Sequence, residues 1–433
     1  MSVTNKQVPL LPLLLSNFIG TIGFSIVLPF LVFLVIDFGG NSIVYGIISA
    51  IYPAFHLIGA PILGRWSDTY GRKKILLLSN AGTLAGWIIF LIALFLPVSH
   101  IISINSIIFG AFVITLPLIV LFFARALDGI TGGNISVANA YLADVSIDTD
   151  RSKNFGKLSI SSNLGFIVGP ALAGILGGTV YKEILPVLSA VLISSIALFV
   201  IAFMLKESKP KAVVAVQLLE KENINKVFSV ECKECYKTPN PKNLGYKDVL
   251  KIKHISYLLI LYFFIFLGFN FFYTSFPIHA VSGLKWSITQ MGIFYAILSG
   301  IMILVQGPIL RKAMLKFSEE QLVIIGSVIL GINFILFIAN NTILVYVAVI
   351  FFALGNGLMW PSFMSILSRH AGTDTQGVVQ GVASSMGSLA SIIGLITGGL
   401  LYNTIGATTF LISAGVIFAV FIMSFRLLNI KET

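Results

Sequence analysis

The sequence predicts an all-α membrane protein whose twelve transmembrane helices form two six-helix bundles related by pseudo-two-fold symmetry. Three observations lead to this prediction: 57% of the 433 residues are hydrophobic, only 10% are charged, and the two halves of the chain share an internal repeat. A water-soluble domain has about 25% charged residues, so this chain lacks the charges that a water-facing surface requires. A mean hydropathy of +0.98 also excludes disordered and collagen-like proteins.

The predicted spans follow from the thickness of a bilayer. A helix that crosses about 30 Å of hydrocarbon needs about 20 mainly apolar residues, and in lipid its backbone polar groups must be satisfied within the segment. The stretches that meet this requirement are 9–36, 44–63, 75–97, 117–143, 155–180, 184–205, 254–281, 288–310, 321–339, 343–367, 376–400 and 407–427. The polar segment 206–253 separates the first six from the last six.

Positive charges lie mainly on one side of the predicted bundles. Of the 28 Lys and Arg residues, only Lys182 and Lys285 fall in loops on the opposite side, and Arg125 lies within a span. Cytoplasmic loops of membrane proteins carry such an excess, so both termini and the linker 206–253 are predicted to be cytoplasmic. The net charge of +11 is therefore interpreted as a topology signal, and no nucleic-acid partner is expected.

An internal repeat relates the two halves. The heptapeptide 45–51 resembles 291–297, and four glycines of the first half match four of the second, namely Gly132, Gly156, Gly169 and Gly174 with Gly357, Gly381, Gly394 and Gly399. The offset falls from 246 to 225, which places 21 extra residues between spans 3 and 4. We assign them to 98–118 and expect an extracytoplasmic extension or a re-entrant hairpin.

This repeat divides the chain into an N-terminal bundle (1–205), a cytoplasmic linker (206–253) and a C-terminal bundle (254–433). Two parallel repeats of six spans imply a central cavity that opens alternately to each side of the membrane, as in transporters. A channel or a receptor remains an alternative, although neither requires the duplication.

A glycine-rich basic motif follows span 2. It consists of Gly64, Asp68, Gly71, Arg72 and Lys73, in the pattern Gly-x3-Asp-x2-Gly-Arg-Lys. The glycines are expected to permit a tight reversal. Asp68 is expected to meet a helix N-terminus or a neighbouring arginine, and the basic residues suit an anionic inner leaflet.

Span 4 carries two opposite charges three residues apart, Arg125 and Asp128, which therefore share one helix face. Charges at membrane depth are costly and usually face the bundle interior or a water-filled cavity. One interpretation is a structural ion pair. The other is that Asp128 binds and releases a proton as the cavity changes sides.

Span 5 contains small residues at regular spacing: Gly165, Gly169, Pro170 and Gly174. Glycines four or five residues apart allow another helix to approach closely, and Pro170 is expected to bend the helix. The second half has Gly394 followed by Leu395, so the Gly-Pro pair belongs to one half only.

Together, these motifs resemble those of the major facilitator superfamily, and of its tetracycline-resistance-like drug/proton antiporters in particular. The segments 140–144 and 376–381 support the same resemblance. It implies that the loop after span 2 is a cytoplasmic gate, that Arg125 takes part in proton coupling, and that span 5 carries the antiporter motif. The chain departs from tetracycline exporters at Gly20, where they carry an aspartate.

The resemblance also implies that spans 1, 4, 7 and 10 line the cavity. Polar and aromatic side chains on these spans and on span 2 are candidate substrate contacts: Tyr52, Asn270, Tyr273, Asn356 and Trp360. His56 shares a face with Tyr52 and is a candidate proton carrier, because histidine titrates near neutral pH. Each of these residues also has an alternative interpretation as a packing residue or a helix–helix hydrogen-bond partner.

These features predict a proton-coupled exporter of amphiphilic small molecules in a bacterial cytoplasmic membrane, acting as a monomer. A symporter or facilitator for an amino acid, sugar or siderophore is the first alternative, and a non-transporting receptor is the second. No enzyme activity and no cofactor are expected, since the sequence has no nucleotide-binding glycine loop and no catalytic triad. Cys232 and Cys235 form half of a zinc motif, but no metal is expected because four ligands are wanted.

Overall fold

The computed structural model describes residues 10–106, 109–132, 134–146, 148–208 and 249–430. Most of the linker, including Cys232 and Cys235, lies outside these ranges. The side chains at 68–69, 134–136, 143, 148–153, 155–156, 159 and 372–378 are also outside the description.

The N-terminal bundle contains eight helices among the described residues. They are α1 Leu11–Ser25, α2 Leu31–Asp37, α3 Ser42–Tyr70, α4 Arg72–Ala93, α5 Leu116–Thr131, α6 Asn134–Val145, α7 Asp148–Gly177 and α8 Ile184–Phe199. A π-helical turn, Val200–Met204, continues α8.

The C-terminal bundle contains six α-helices among the described residues. They are α9 Ile255–Ser282, α10 Ile288–Leu304, α11 Leu310–Ala313, α12 Glu319–Leu336, α13 Thr342–Ile405 and α14 Thr409–Ser424. A π-helical turn, Val305–Ile309, joins α10 to α11 and contains Pro308.

The predicted all-α membrane fold is confirmed, and the helices are consistent with twelve spans. Within the described residues, nine helical segments are long and apolar enough to cross a bilayer. They correspond to predicted spans 2, 3 and 5 to 10, and to one run, Val379–Asn429, that holds spans 11 and 12. Spans 1 and 4 do not pass this test because each is interrupted.

The two interruptions have local causes. Pro29 has no N–H to donate to the carbonyl of Ser25, and Leu28 donates to that carbonyl instead, at 3.2 Å. The chain therefore turns over 26–30 before α2 begins. In span 4, α5 ends where Gly132 donates to the carbonyl of Gly129 at 3.1 Å.

Helix α13 includes both span 10 and span 11, and the two segments fold back on each other. Trp360 lies 5.4 Å from Tyr262, ring centroid to centroid. A Cβ built on Gly387 would lie 2.8 Å from the same ring. In a straight helix, 27 residues would separate these two positions by about 40 Å, so the direction of the chain reverses between them.

The insertion between spans 3 and 4 is a β-hairpin. Strands β1 (His100–Ser106) and β2 (Gly110–Thr115) pair antiparallel, with Ser106 opposite Gly110. Val113 donates to the carbonyl of Gly39 at 2.9 Å, so the hairpin lies over the connection between α2 and α3. The segment 98–118, expected to form an extension or a re-entrant hairpin, therefore contains two strands and the first residues of α5.

We name the two ends of the bundle by what lies there. The hairpin face carries β1 and β2. The basic face is the opposite end, where α4 begins at Arg72 and where Arg369 forms an ion pair of 2.6 Å with Glu319.

In the motif after span 2, one glycine turns the chain, whereas the prediction gave this role to both. Helix α3 continues through Gly64 to Tyr70, and only Gly71, with φ +101°, breaks it. The side chain of Asp68 lies outside the description. Glu207 caps the N-terminus of α4: its carboxylate accepts from the backbone N–H of Arg72 at 2.9 Å and of Lys73 at 3.2 Å.

Arg72 and Lys73 tie this turn to other helices. Arg72 forms an ion pair of 3.0 Å with Asp144 and donates to Ser67 Oγ at 2.6 Å. Lys73 Nζ donates to the carbonyl of Ala202 at 2.7 Å. Basic residues that were expected to anchor at lipid therefore also connect α3 and α4 to the ends of α6 and α8.

The C-terminal bundle has an aromatic core. Phe272 lies at its centre, with ring centroids 4.8 to 5.3 Å from those of Phe276, Phe334, Phe337 and Phe352. All five side chains are fully or almost fully buried. Much of the phenylalanine content thus packs helices together.

The two glycines of the motif after span 2 should respond differently to substitution. Gly71→Ala places a side chain at a backbone conformation reserved for glycine, and its Cβ would lie 2.6 Å from Glu207 Oε2. We expect a loss of about 1–3 kcal/mol in stability, seen as a lower Tm in detergent.

Gly64→Ala is the matched control, because Gly64 is helical and a Cβ there meets no described atom within 4 Å. It should leave Tm unchanged or raise it, by up to about 1 kcal/mol in stability. Equal Tm values for the two variants would contradict the assignment of Gly71 as the turn.

Candidate functional site

A cavity of about 680 Å³ lies between the two bundles. The N-terminal bundle contributes residues of α1, α3, α5 and α7, and the C-terminal bundle contributes residues of α9, α10 and α13. Its polar and aromatic lining includes Phe24, Tyr45, Tyr52, His56, Arg125, Asn163, Phe166, Phe266, Asn270, Tyr273, Tyr295, Gln306, Asn356, Trp360 and Ser391. The structure therefore places all five candidate substrate contacts, with His56 and Arg125, on one cavity.

The N-terminal wall is a stack of aromatic and charged groups. Tyr52 and His56 lie one turn apart on α3, and their rings stack at 5.9 Å with an interplanar angle of 20°. The guanidinium carbon of Arg125 lies 5.1 Å from the centre of the Tyr52 ring, within range of a cation–π interaction. Gly129 makes this approach possible, because a Cβ there would lie 2.6 Å from the carbonyl oxygen of Tyr52.

Asp128 lies behind Arg125 rather than on the cavity lining. Arg125 Nη1 and Asp128 Oδ2 are 3.7 Å apart, and the two side chains are 7% and 13% exposed. Thr83 on α4 is a hydrogen-bond partner of the Asp128 side chain. Arg125 Nε is buried with no hydrogen-bond partner among the described residues. The two charges are therefore close, but not every hydrogen-bond donor of Arg125 has a partner among the described residues.

The C-terminal wall is neutral. Asn270 Nδ2 donates to the carbonyl of Phe266 at 2.7 Å and to Ser391 Oγ at 3.0 Å, so this amide connects α9 to α13. Asn356 Nδ2 contacts Met302 Sδ at 3.9 Å. Trp360 packs edge-on against Phe266 with ring centroids 5.4 Å apart. Asn270 thus connects two helices, as one of the two interpretations of this residue from the sequence required.

Several lining residues were missed by reasoning from the sequence. Asn163 lies on α7 and Gln306 in the π-helical turn after α10, on spans 5 and 8. The predicted contacts were confined to spans 1, 2, 4, 7 and 10. A polar side chain within any apolar span is a functional signal, and that rule would have identified both residues.

Two contacts between glycines close the cavity toward the hairpin face. A Cβ on Gly46 would lie 2.5 Å from the carbonyl oxygen of Leu395 and 3.4 Å from Gly399 Cα. A Cβ on Gly174 would lie 2.8 Å from Gly292 Cα. Each contact joins one bundle to the other. Since Tyr45 and Leu395 line the cavity, the first contact forms part of its end wall.

These contacts are related by the internal repeat. Gly46 corresponds to Gly292, and Gly174 corresponds to Gly399. The glycines of the span 5 motif therefore make two kinds of helix contact. Gly174 contacts the opposite bundle, whereas Gly165 and Gly169 pack against α1, where a Cβ on Gly165 would lie 2.7 Å from Thr21 Cβ.

Nearer the basic face, glycines of the same spans are not packed in this way. A Cβ on Gly64, Gly307 or Gly381 would meet no described atom within 4 Å. Among the residues whose side chains are described, no group of three His, Cys, Asp or Glu residues is placed to hold a metal ion.

The fold and the cavity between its two halves define a multi-pass membrane transporter. The sequence matches the family described as Major Facilitator Superfamily over residues 13–395 and 316–433. The chain belongs to this superfamily.

Curated relatives cover nearly the whole chain. The class E tetracycline resistance protein of Escherichia coli is 27% identical over 89% of this chain and 86% of its own length. Multidrug resistance protein 2 of Bacillus subtilis (strain 168) is 26% identical, with 92% and 90% covered.

Solved structures share the fold at lower identity. The human organic anion transporter MFSD10 (TETRAN) is 18% identical with a TM-score of 0.66, covering 97% of this chain and 99% of that one. The D-xylose-proton symporter is 14% identical with a TM-score of 0.74, covering 98% and 97%. At these identities the likeness concerns the fold alone.

The Gly174–Gly292 contact should control access from the hairpin face. In a background with Cys232→Ser and Cys235→Ser, a reporter Ser49→Cys lines the cavity. Adding Gly292→Leu overpacks the contact with Gly174 by about 1–3 kcal/mol. We expect a membrane-impermeant maleimide to label the reporter roughly ten-fold faster from the hairpin face.

Gly300→Leu is the matched control, since it lies on the same helix and a Cβ there meets no described atom within 4 Å. It should leave the labelling rate unchanged. A Gly292→Leu protein that labels like this control would show that the contact does not close the cavity.

Proposed function

We propose that this protein is a proton-coupled exporter of amphiphilic small molecules, acting as a monomer in a bacterial cytoplasmic membrane. The single observation that carries the proposal is the Arg125–Asp128 pair at the wall of an otherwise neutral, aromatic cavity. Burying a carboxylate at membrane depth costs free energy, and ionisable residues found there usually have a function. Proton exchange at Asp128 would be such a function.

Three further features support export. Two of the relatives are named for tetracycline resistance and multidrug resistance. The aromatic walls of the cavity suit a lipophilic body, and the amides of Asn163, Asn356 and Gln306 offer hydrogen bonds to a polar end. The closed hairpin face leaves the basic face as the side from which substrate enters.

The mechanism follows from the geometry. Substrate enters the cavity from the cytoplasm and lies between the Tyr52–His56 stack and the wall around Trp360. As substrate binds, Asp128 releases its proton to the cytoplasm, which strengthens the attraction of its carboxylate to Arg125 and changes the charge at the N-terminal wall. The bundles then part at the Gly46–Gly399 and Gly174–Gly292 contacts and release the substrate on the hairpin side, where Asp128 takes up a proton before the cavity returns to the basic face.

Uptake of a polar metabolite is the alternative. The same amide groups would suit a sugar or an amino acid, and the fold serves a D-xylose-proton symporter. The direction of flux distinguishes the two functions. In proteoliposomes with a pH gradient, an exporter moves substrate against the proton flow, and a symporter moves it with the proton flow.

Asp128→Asn should abolish proton-driven accumulation of ethidium or tetracycline in inverted vesicles, because the amide cannot carry a proton. Exchange of the same compound across vesicles without a pH gradient should persist. Asp37→Asn, which changes a carboxyl group at the end of α2 away from the cavity lining, is the control and should transport normally. Proton-driven accumulation by the Asp128→Asn protein would remove Asp128 from the mechanism.

We also propose that the basic face is cytoplasmic, with both termini on that side, because the loops there carry the positive charge. The native Cys232 and Cys235 belong to the linker and provide the test. An impermeant maleimide should label them in inverted vesicles and leave them unlabelled in intact cells. Labelling in intact cells would reverse the topology.

A further inference from the structure

The β-hairpin crosses the boundary between the two bundles. Strands β1 and β2 occur between α4 and α5, and the equivalent connection in the second half, from α12 to α13, consists of residues 337–341 without strands. The hairpin therefore has no counterpart in the internal repeat. A feature present in one half only does not follow from the duplication and needs its own explanation.

Four hydrogen bonds among the described residues attach the hairpin to the N-terminal bundle. The Val113 N–H donates to the carbonyl of Gly39 at 2.9 Å, and the Thr115 hydroxyl donates to the carbonyl of Phe38 at 2.7 Å. Asn41 Nδ2 donates to the carbonyls of Phe109 at 2.8 Å and Ala111 at 3.4 Å. The hairpin is therefore fixed to the end of α2 and the start of α3.

Asn41 connects this attachment to the helix that bears Gly46. Its Oδ1 accepts from the backbone N–H groups of Ile43 at 3.0 Å and Val44 at 3.1 Å, which caps α3. The same amide thus holds the N-terminus of α3 and the turn of the hairpin. The two elements move together when the bundle moves.

The turn end of the hairpin reaches the C-terminal bundle. A Cβ on Gly110 would lie 3.1 Å from Asn403 Nδ2 and 3.2 Å from Asn41 Nδ2, so the glycine lies between an amide of each bundle. Gly110 has φ +67°, a conformation that suits glycine. Asn403 belongs to α13, four residues beyond Gly399 of the end-wall contact.

We propose that the hairpin is a latch that stabilises the state in which the hairpin face is closed. Because it is bonded to the N-terminal bundle and only packs against Asn403, parting of the bundles at this face must break the Asn403 contact first. The latch slows opening toward the hairpin side and favours the state that receives substrate from the basic face. This inference concerns the conformational equilibrium and does not depend on which substrate is carried.

The test removes the partner on the C-terminal bundle and leaves the hairpin intact. In the cysteine-free background with the Ser49→Cys reporter, Asn403→Ala should increase labelling from the hairpin face by roughly three-fold or more, since even one contact of ordinary strength shifts a two-state ratio by that factor. Thr404→Ala is the matched control, because the Thr404 hydroxyl bonds only to carbonyls of its own helix among the described residues.

A second variant replaces residues 94–115 with the short connection 337–341 of the other half. It should increase labelling at least as much as Asn403→Ala, and combining the two changes should add nothing further. Unchanged labelling in Asn403→Ala would overturn the proposal, and so would additive effects. Because labelling needs neither substrate nor a proton gradient, failure of the export proposal would leave this result interpretable.

Discussion

The structure depends on how closely two helix backbones can approach in lipid. The apolar surfaces of two membrane helices gain little by meeting, because lipid tails are as apolar as the side chains, so association relies on close packing at small residues. Here the two bundles meet at Gly46 with Gly399 and at Gly174 with Gly292. Such contacts involve no side-chain hydrogen bonds. They can therefore separate without leaving a buried donor unpaired, as contacts that open and close in each transport cycle require.

The charges of the cavity are confined to one bundle. Among the described lining residues, Arg125 is the one permanently charged side chain, and its carboxylate partner lies behind it at 3.7 Å. Breaking a buried ion pair by removing one partner typically costs about 3–5 kcal/mol. That cost arises because the remaining charge is left uncompensated, so a charge at this depth requires both Arg125 and Asp128. The opposite wall supplies amides and aromatic rings, which contact a substrate without competing for Arg125.

The sequence predicted the fold because composition and repeats are global properties. It also brought Tyr52, His56, Arg125 and Trp360 to one cavity, since intramembrane polar and aromatic side chains on the right spans have few other places to lie. It did not distinguish Gly64 from Gly71, because both are glycines near a predicted helix end and only φ separates them. The cap by Glu207 comes from a residue 135 positions away from Arg72, and no local pattern signals such a distant partner.

The strands of the hairpin could not be predicted from the sequence for a different reason. Its residues 100–115 are mostly apolar, and continuous apolar sequence is also what a buried helix requires. The offset of the repeat located the insertion, but its secondary structure depended on partners such as Gly39 and Asn41 that lie about 70 residues earlier. Pairing between distant segments is decided by tertiary contacts, so a strand on a membrane helix bundle has no reliable local signal.

The two bundles differ in a way that bears on movement. Pro29 interrupts span 1, whereas Pro277 lies within the continuous helix α9. Gly132 ends α5, whereas its repeat counterpart Gly357 lies within α13. The C-terminal bundle instead has the tightly packed core around Phe272. Closely packed interiors resist gradual deformation, and interrupted helices bend where backbone hydrogen bonds are already missing. The interrupted spans 1 and 4 therefore give the N-terminal bundle places to bend near Arg125, and the aromatic core stiffens the C-terminal bundle around Phe272.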